Sequence, residues 1–377
     1  MKYYPITICL LILLGCSKNQ SKSGSDLELK LSQDTVVIDA KGSIINLKYG
    51  LTHPELSTDG KYLYHYTFGE ARFDKINLEG LVLEEALQFE IEGPNGIGRH
   101  IRGYGLTSTD KIMVWSTGLN SVFDQEGKKV RDLKLTKIAP ELDGAEAVPI
   151  GLSEHPGDPN TIFGLYVMRN DYQNFLVKFD LETATYEKIP LPETEKLSNY
   201  RMEIQQAGAP SMTFNPMASL TNVQDKILLP NGAYNEAYVY DIPLDSLYLI
   251  TWNSELTANQ NEYKLPKTVE AEKAAGHIQK FNESIHFMDP KWDPVSQRYI
   301  RLSYKTKFGE DVNERGEAKI IGAEVFLTVL DKDLNIVKET FLDRYEKRPP
   351  PHFFIDNKIW LYENIADELG FVRITVD

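Results

Sequence analysis

One local pattern recurs along this 377-residue chain: a polar turn carrying Asp or Asn, an apolar strand, a second strand closing on Asp or Asn, a tight turn and a last strand. Short runs rich in Val, Ile, Tyr, Phe and Thr between Asp-Gly, Asn-Gly, Glu-Gly and Pro turns belong to sandwiches, barrels or propellers. Sustained helical periodicity is scarce, so the period of the repeat decides among these. Thr58-Asp59-Gly60 precedes strands at 61–66, 73–77 and 81–84, and Thr109-Asp110 precedes 111–116, 121–124 and 128–133. Asp158-Pro159-Asn160 leads into 161–168, 175–180 and 186–189; Gln224-Asp225 leads into 226–229, 237–241 and 246–251. A fifth unit holds 298–304, 323–331 and 335–341, and a sixth holds 358–363 and 371–377.

The sixth unit ends one strand short, while residues 27–40, with Thr35-Val36-Val37-Ile38, have no unit of their own. A ring that borrows this segment to complete its last sheet removes two exposed edges at once. The expected fold is therefore all-β: a six-bladed β-propeller over 27–377, closed by an N-terminal strand. Counting residues 27–48 as a blade gives a seven-bladed alternative. Residues 193–217 and 256–284 read as insertions, with a short helix expected at 269–275.

Ahead of the repeats, Lys2 and an apolar run lead to Leu13-Leu14-Gly15-Cys16. This run is shorter than the roughly 20 residues a spanning helix needs, and its layout is that of a cleaved signal. Leu, Gly and Cys stand where a bacterial lipobox has them, so residues 1–15 are expected to be a signal peptide and Cys16 to carry lipid. Residues 16–26 have a linker's composition, with Lys18 and Lys22 among Ser, Asn, Gln and Gly. The chain's two cysteines are Cys9 and Cys16. Loss of one and acylation of the other leave no thiol chemistry and no disulfide, and the core alone must stabilise the domain. Loss of Lys2 leaves 40 basic residues against 55 acidic ones. Spread through a domain, that balance argues against nucleic acid and against electrostatic docking on anionic lipid.

The lipobox, the six units, the segment Gly93-Pro94-Asn95-Gly96-Ile97-Gly98 and the turn Tyr240-Asp241…Asp245-Ser246-Leu247 together resemble the uncharacterised β-propeller lipoproteins of Bacteroidetes, a domain-of-unknown-function family. The resemblance implies a single propeller on a lipid anchor and brings no activity with it. It also implies that Asp34-Thr35-Val36 and Asp245-Ser246-Leu247 are either O-glycan acceptors or ordinary strand and turn residues.

Searched for chemistry, the sequence offers no catalytic signature. Gly151-Leu152-Ser153-Glu154-His155 opens like a nucleophile elbow but lacks its closing glycine. Gly96-Ile97-Gly98 lacks the third glycine of a dinucleotide loop, since Ile101 stands there. Asp331-Lys332-Asp333-Leu334-Asn335 starts like a calcium loop, but Ile336 and Leu342 occupy its turn and final-ligand positions. The seven histidines show no ligand spacing, so neither a metal nor a cofactor is expected. His286 and His352 open the fifth and sixth units at equivalent places, where first strands line a propeller channel. Arg99, His100 and Arg102 follow the glycine-rich crossing. These five form the candidate channel-mouth site, suited to a carboxylate, phosphate or sugar acid. The expected function is a non-enzymatic binding or scaffold protein of the envelope, with a protein, peptide or glycan partner. It would touch the membrane through its lipid alone, at the outer membrane, with the periplasmic face favoured over the cell surface. The alternative is a propeller hydrolase or lyase acting on a sugar or lactone at the channel mouth.

Overall fold

A computed structural model describes residues 29–377 other than 143, 145 and 314–316. Among the described residues the β structure falls into six sheets of four or five strands and one small three-stranded sheet. Each large sheet is built in chain order by antiparallel neighbours. The first holds Glu55–Leu56, Tyr62–Thr67, Arg72–Asn77 and Val82–Gln88. The second runs from Gly103–Leu106 to Lys129–Asp132, the third from Ala147–His155 to Thr185–Pro190, and the fourth from Thr221–Val223 to Ser246–Thr251. The first strand of the fifth is split into His286–Phe287 and Lys291–Asp293, and Arg298–Val312, Ala318–Leu330 and Ile336–Phe341 follow. The sixth holds His352–Ile355, Lys358–Ile365 and Glu368–Val376, and its fourth strand is Leu31–Val37 from the N-terminus. That strand pairs antiparallel with Glu368–Val376 from Leu31↔Val376 to Val37↔Gly370. Asp34 accepts two hydrogen bonds from Arg373, Nε at 2.7 Å and Nη2 at 2.5 Å, and the guanidinium lies over the Trp360 ring. The arrangement is all-β and propeller-like.

The inner strands are buried because each sheet shares its side chains with two others, while outer strands such as Thr185–Pro190 are largely exposed. Tyr66, Phe73, Phe89, Tyr104 and Phe123 join the first sheet to the second, and Trp115, Ile162 and Phe179 help join the second to the third. Phe163 and Tyr240 connect the third and fourth, and Val239, Trp252 and Tyr299 connect the fourth and fifth. Val325 and Ile374 belong to a cluster between the fifth and sixth, and Leu63, Ile76 and Phe371 to one between the sixth and the first. Polar ties between neighbouring turns follow the same order. Asp110 accepts from the backbone and hydroxyl of Thr58, and Glu154 accepts from those of Ser108. Asn222 donates to Ser153 and Glu154, and the backbone of Asn357 donates to Asp293.

Antiparallel order places alternate connections at opposite ends of each sheet. At one end lie tight turns such as Thr58–Gly60, 224–225 and 356–357. At the other lie the long connections 38–54, 89–102, 133–146, 191–220, 252–285 and 342–351. Two of these hold a satellite unit: the strands Met202–Gln205, Met212–Phe214 and Thr268–Glu270 with the helix Ala271–Glu283, sharing an apolar core of Leu197, Tyr200, Ala274 and Phe281.

Three local expectations need correction. The helix expected at 269–275 runs Ala271–Glu283, because Val269 pairs in parallel with Ile204 while Ala274, Ile278 and Phe281 repeat at helical spacing. The turn expected at Asp158 comes earlier, at Pro156-Gly157, and Asp158 opens a strand while its carboxylate accepts from Asn160 N and Thr161 Oγ1. Residues 305–312 and 318–322, outside the expected strands of the fifth unit, extend its central hairpin as a ribbon pairing Lys307 with Gly322 and Val312 with Ala318.

A Cβ added at Gly370 would sit 2.3 Å from Ile365 Cδ1 and 3.0 Å from the Val36 carbonyl oxygen. Gly370→Val should therefore push the N-terminal strand away and cost about 1–3 kcal/mol by overpacking. Denaturant unfolding measures the loss, and hydrogen exchange should show the amides of 31–37 losing protection before the rest.

Candidate functional site

The five residues expected at one mouth fall into two groups. Arg99, His100 and Arg102 lie in the long connection between the first and second sheets. His100 stacks on Phe68, ring centroids 5.0 Å apart and planes at 27°. Phe68 stands at the tip of a tight turn between the second and third strands of the first sheet, where Gly69 adopts φ +84° and frees the ring from the sheet. Tyr49, from the preceding connection, meets Phe68 edge-on at 5.9 Å. Tyr49 is 62% exposed and Phe68 44% exposed, so large aromatic surfaces face solvent together. The backbone holds the positions: Tyr66 Oη donates to the Arg99 carbonyl, Ser116 Oγ to the His100 carbonyl, and Arg102 N to the Trp115 carbonyl at 3.0 Å. Among the described residues neither Arg99, Arg102 nor Arg169 has an ion-pair partner. Burial, and then the like charge of nearby Arg169, hold Arg102 below the usual arginine value.

His286 and His352 are buried at the start of their sheets' first strands. His286 Nε2 donates to the Phe281 carbonyl at 3.0 Å, and its ring stacks on Tyr304 and meets Phe281 edge-on. It thereby ties the fifth sheet to the satellite helix. His352 Nδ1 donates to the Pro350 carbonyl at 3.2 Å. Burial drives both imidazoles down to about 4, so both are neutral near pH 7. A neutral ring whose Nδ1 carries the proton leaves Nε2 as a bare acceptor, and in His352 that atom is buried without a partner.

Around His352 lie charged groups that the sequence reading passed over. Lys291, in the second half of the fifth sheet's split first strand, and Asp289, in the break before it, both act on its titration. Asp289 accepts from Ser219 Oγ at 2.6 Å. Lys291 also acts on Glu55, in the first strand of the first sheet. Glu55 is half-buried. Deeper still, Arg301 is buried between Trp252 and Phe287, donating to Met288 O at 2.7 Å and Asn235 Oδ1 at 2.6 Å. Arg301 carried a signal, as the lone charge in the run Tyr299–Tyr304 that otherwise reads as buried strand, whereas Glu55 and Lys291 each follow a proline in a short polar stretch and carried none.

Burial raises the Glu55 carboxyl from about 4.5 to about 7, against the pull of Lys291. Between those values the folded chain keeps a proton that the unfolded chain releases, so this contribution is complete below about pH 4.5 and is lost as pH rises through 7. Thermal melts of the wild type should lose up to about 3 kcal/mol across that window, while Glu55→Gln should remove that part of the slope.

With this geometry in place, comparison places the chain among known folds. Residues 26–341 match the family described as "Domain of unknown function (DUF4221)". The crystal structure of a DUF4221 member from Bacteroides vulgatus superposes at TM-score 0.63 with 16% identity, covering 93% of this chain and 98% of that one. A putative exported protein from Bacteroides fragilis superposes at TM-score 0.50 with 8% identity, covering 95% and 98%. A weaker likeness, TM-score 0.40 at 9% identity over 92% and 99%, is to the β-propeller domain of Myceliophteria thermophila Cps50 (Swd1). No curated protein matches the chain.

Proposed function

Because the chain belongs to the DUF4221 family, whose description assigns no activity, we propose a function from its geometry: a lipid-anchored, non-enzymatic envelope protein that binds an acidic glycan on the face of its long connections. The body is read as a six-bladed propeller closed by its N-terminal strand. The circular order of the six shared cores and the pairing of Leu31–Val37 with Glu368–Val376 support that reading. The lipid is assigned to Cys16, which lies outside the described residues, and the outer membrane's periplasmic side to the anchored protein.

The anchor sets a direction. The chain enters the fold at Lys30, paired with Asp377, at the end of the sixth sheet that carries the 356–357 turn. Even fully extended, the 14-residue step from Cys16 to Lys30 spans at most about 50 Å. The tight-turn face, crowded with Asp59, Asp110, Asp225, Asp333 and Asp356, then lies toward the membrane, and the long connections point away from it.

The observation that carries the proposal is the exposed cluster of Tyr49, Phe68 and His100 beside Arg99 and Arg102, cations without a carboxylate in a chain of net charge −14. Aromatic faces stack on pyranose rings, and guanidinium forks pair with carboxylates. The competing hydrolase or lyase reading gains less support, because His286 Nε2 is held by the Phe281 carbonyl.

Two measurements test this. Cys16→Ser should move the folded protein from the membrane fraction to the soluble one; unchanged partitioning removes the anchor. Immobilised polyuronate should retard the wild type, and the Tyr49→Ala, Phe68→Ala, His100→Ala triple variant should elute earlier. Equal elution of both overturns the binding face.

A further inference from the structure

We infer that Lys48 makes the exposed aromatic face selective for uronates over neutral sugars. Its ammonium rests on the Tyr49 ring, yields that ring to an arriving pyranose and pairs with the sugar's carboxylate. The inference depends on the glycan-binding reading and names the residue that senses the ligand's charge. Lys48 Nζ lies over the Tyr49 ring, 5.2 Å from its centroid. Among the described residues no carboxylate pairs with it. Tyr49 meets Phe68 edge-on and Phe68 carries His100, so Lys48 stands at one end of a chain of three contacting rings.

The backbone under this pair is fixed from several sides. Lys48 and Tyr49 form the tip of a four-residue turn, closed by Gly50 N donating to the Leu47 carbonyl at 2.8 Å, with Gly50 at φ +71°. Lys48 N donates to Asn46 Oδ1 at 3.1 Å, and Asn46 Nδ2 donates to Glu70 Oε1 at 2.7 Å. Arg72 clamps the same connection, donating through Nη2 to the Ile44 carbonyl at 2.7 Å and pairing with Glu70 at 3.2 Å. Its Nε meets the fully buried Asp74 at 3.0 Å, which anchors the clamp in the first sheet. Turn, amide and guanidinium thus hold the main chain, while the exposed Lys48 ammonium sits on a flexible four-carbon stem.

An exchange of contacts produces the selectivity. An exposed cation on an aromatic face is a weak contact, and a charge-assisted hydrogen bond to a carboxylate is a stronger one. A uronate that stacks on Tyr49 displaces the ammonium and supplies that carboxylate at the same spot. A neutral pyranose must displace the ammonium too, and gives it no anion in return. A small anion without a ring offers charge but no face to stack, so ring and carboxylate have to arrive in one molecule.

The test compares retention of the full chain on an immobilised polyuronate and on the same polymer after methyl esterification, which removes the charge and keeps the rings. Wild type should be held more tightly by the free acid. Lys48→Met should weaken that retention at least about threefold at low salt and leave retention on the ester equal or stronger. Lys48→Arg should restore the preference, while Lys41→Met, the same loss of charge in the same connection, should not disturb it. Equal loss on both polymers, an unchanged preference in Lys48→Met or the same effect from Lys41→Met overturns the inference. A wild type that neither polymer retards removes the glycan-binding reading and this inference together. One that both retard equally removes this inference alone.

Discussion

A four-stranded sheet has two faces and two edges to cover, and no sheet in this chain can cover its own. The faces are covered by apolar clusters that each belong to two sheets, so removing any one sheet would strip its neighbours. The last sheet's outer edge is covered by residues that come first in the sequence, with the Arg373–Asp34 fork setting the register. Non-local pairing of this kind makes the ends of the chain mutually dependent. It also explains how a body without any disulfide among its described residues obtains its stability: the apolar area is shared throughout rather than concentrated in one place.

That architecture leaves one end of the sheets free to vary. Tight turns at the other end are pinned to one another by Thr58–Asp110, Ser108–Glu154, Asn222–Ser153 and Asn357–Asp293 contacts, and leave no slack for insertion. The end that bears the long connections also carries a satellite unit, an extended ribbon and the Tyr49–Phe68–His100 cluster. Loops positioned by a rigid scaffold are where binding residues collect. Buried polar groups are provided for unequally: Arg301 has acceptors and aromatic faces, whereas His352 Nε2 has no partner.

The sequence located most strands because alternation and Asp- or Gly-bearing turns are local signals. The ribbon of 305–312 and 318–322 escaped because Lys305, Lys307, Glu310 and Asp311 make a solvated two-stranded extension look like a loop. The helix was misplaced because Val269 serves a strand whose partner lies about 65 residues earlier. His100 was singled out as a candidate, but its platform was not, since Phe68 and Tyr49 come from two other connections. Glu55 and Lys291 stand 236 positions apart, each after a proline in a short stretch with no strand pattern to place it.

What the sequence by itself determined is the alphabet of the fold: strands, turns, the unit length and a first segment in want of a sheet. Side-chain periodicity and turn chemistry act over a few residues, so one chain suffices to read them. Which rings stack, which cations stand without an anion and which imidazole nitrogen is left bare were decided only by tertiary structure. Those properties depend on distances between residues that packing, rather than covalent neighbourhood, brings together.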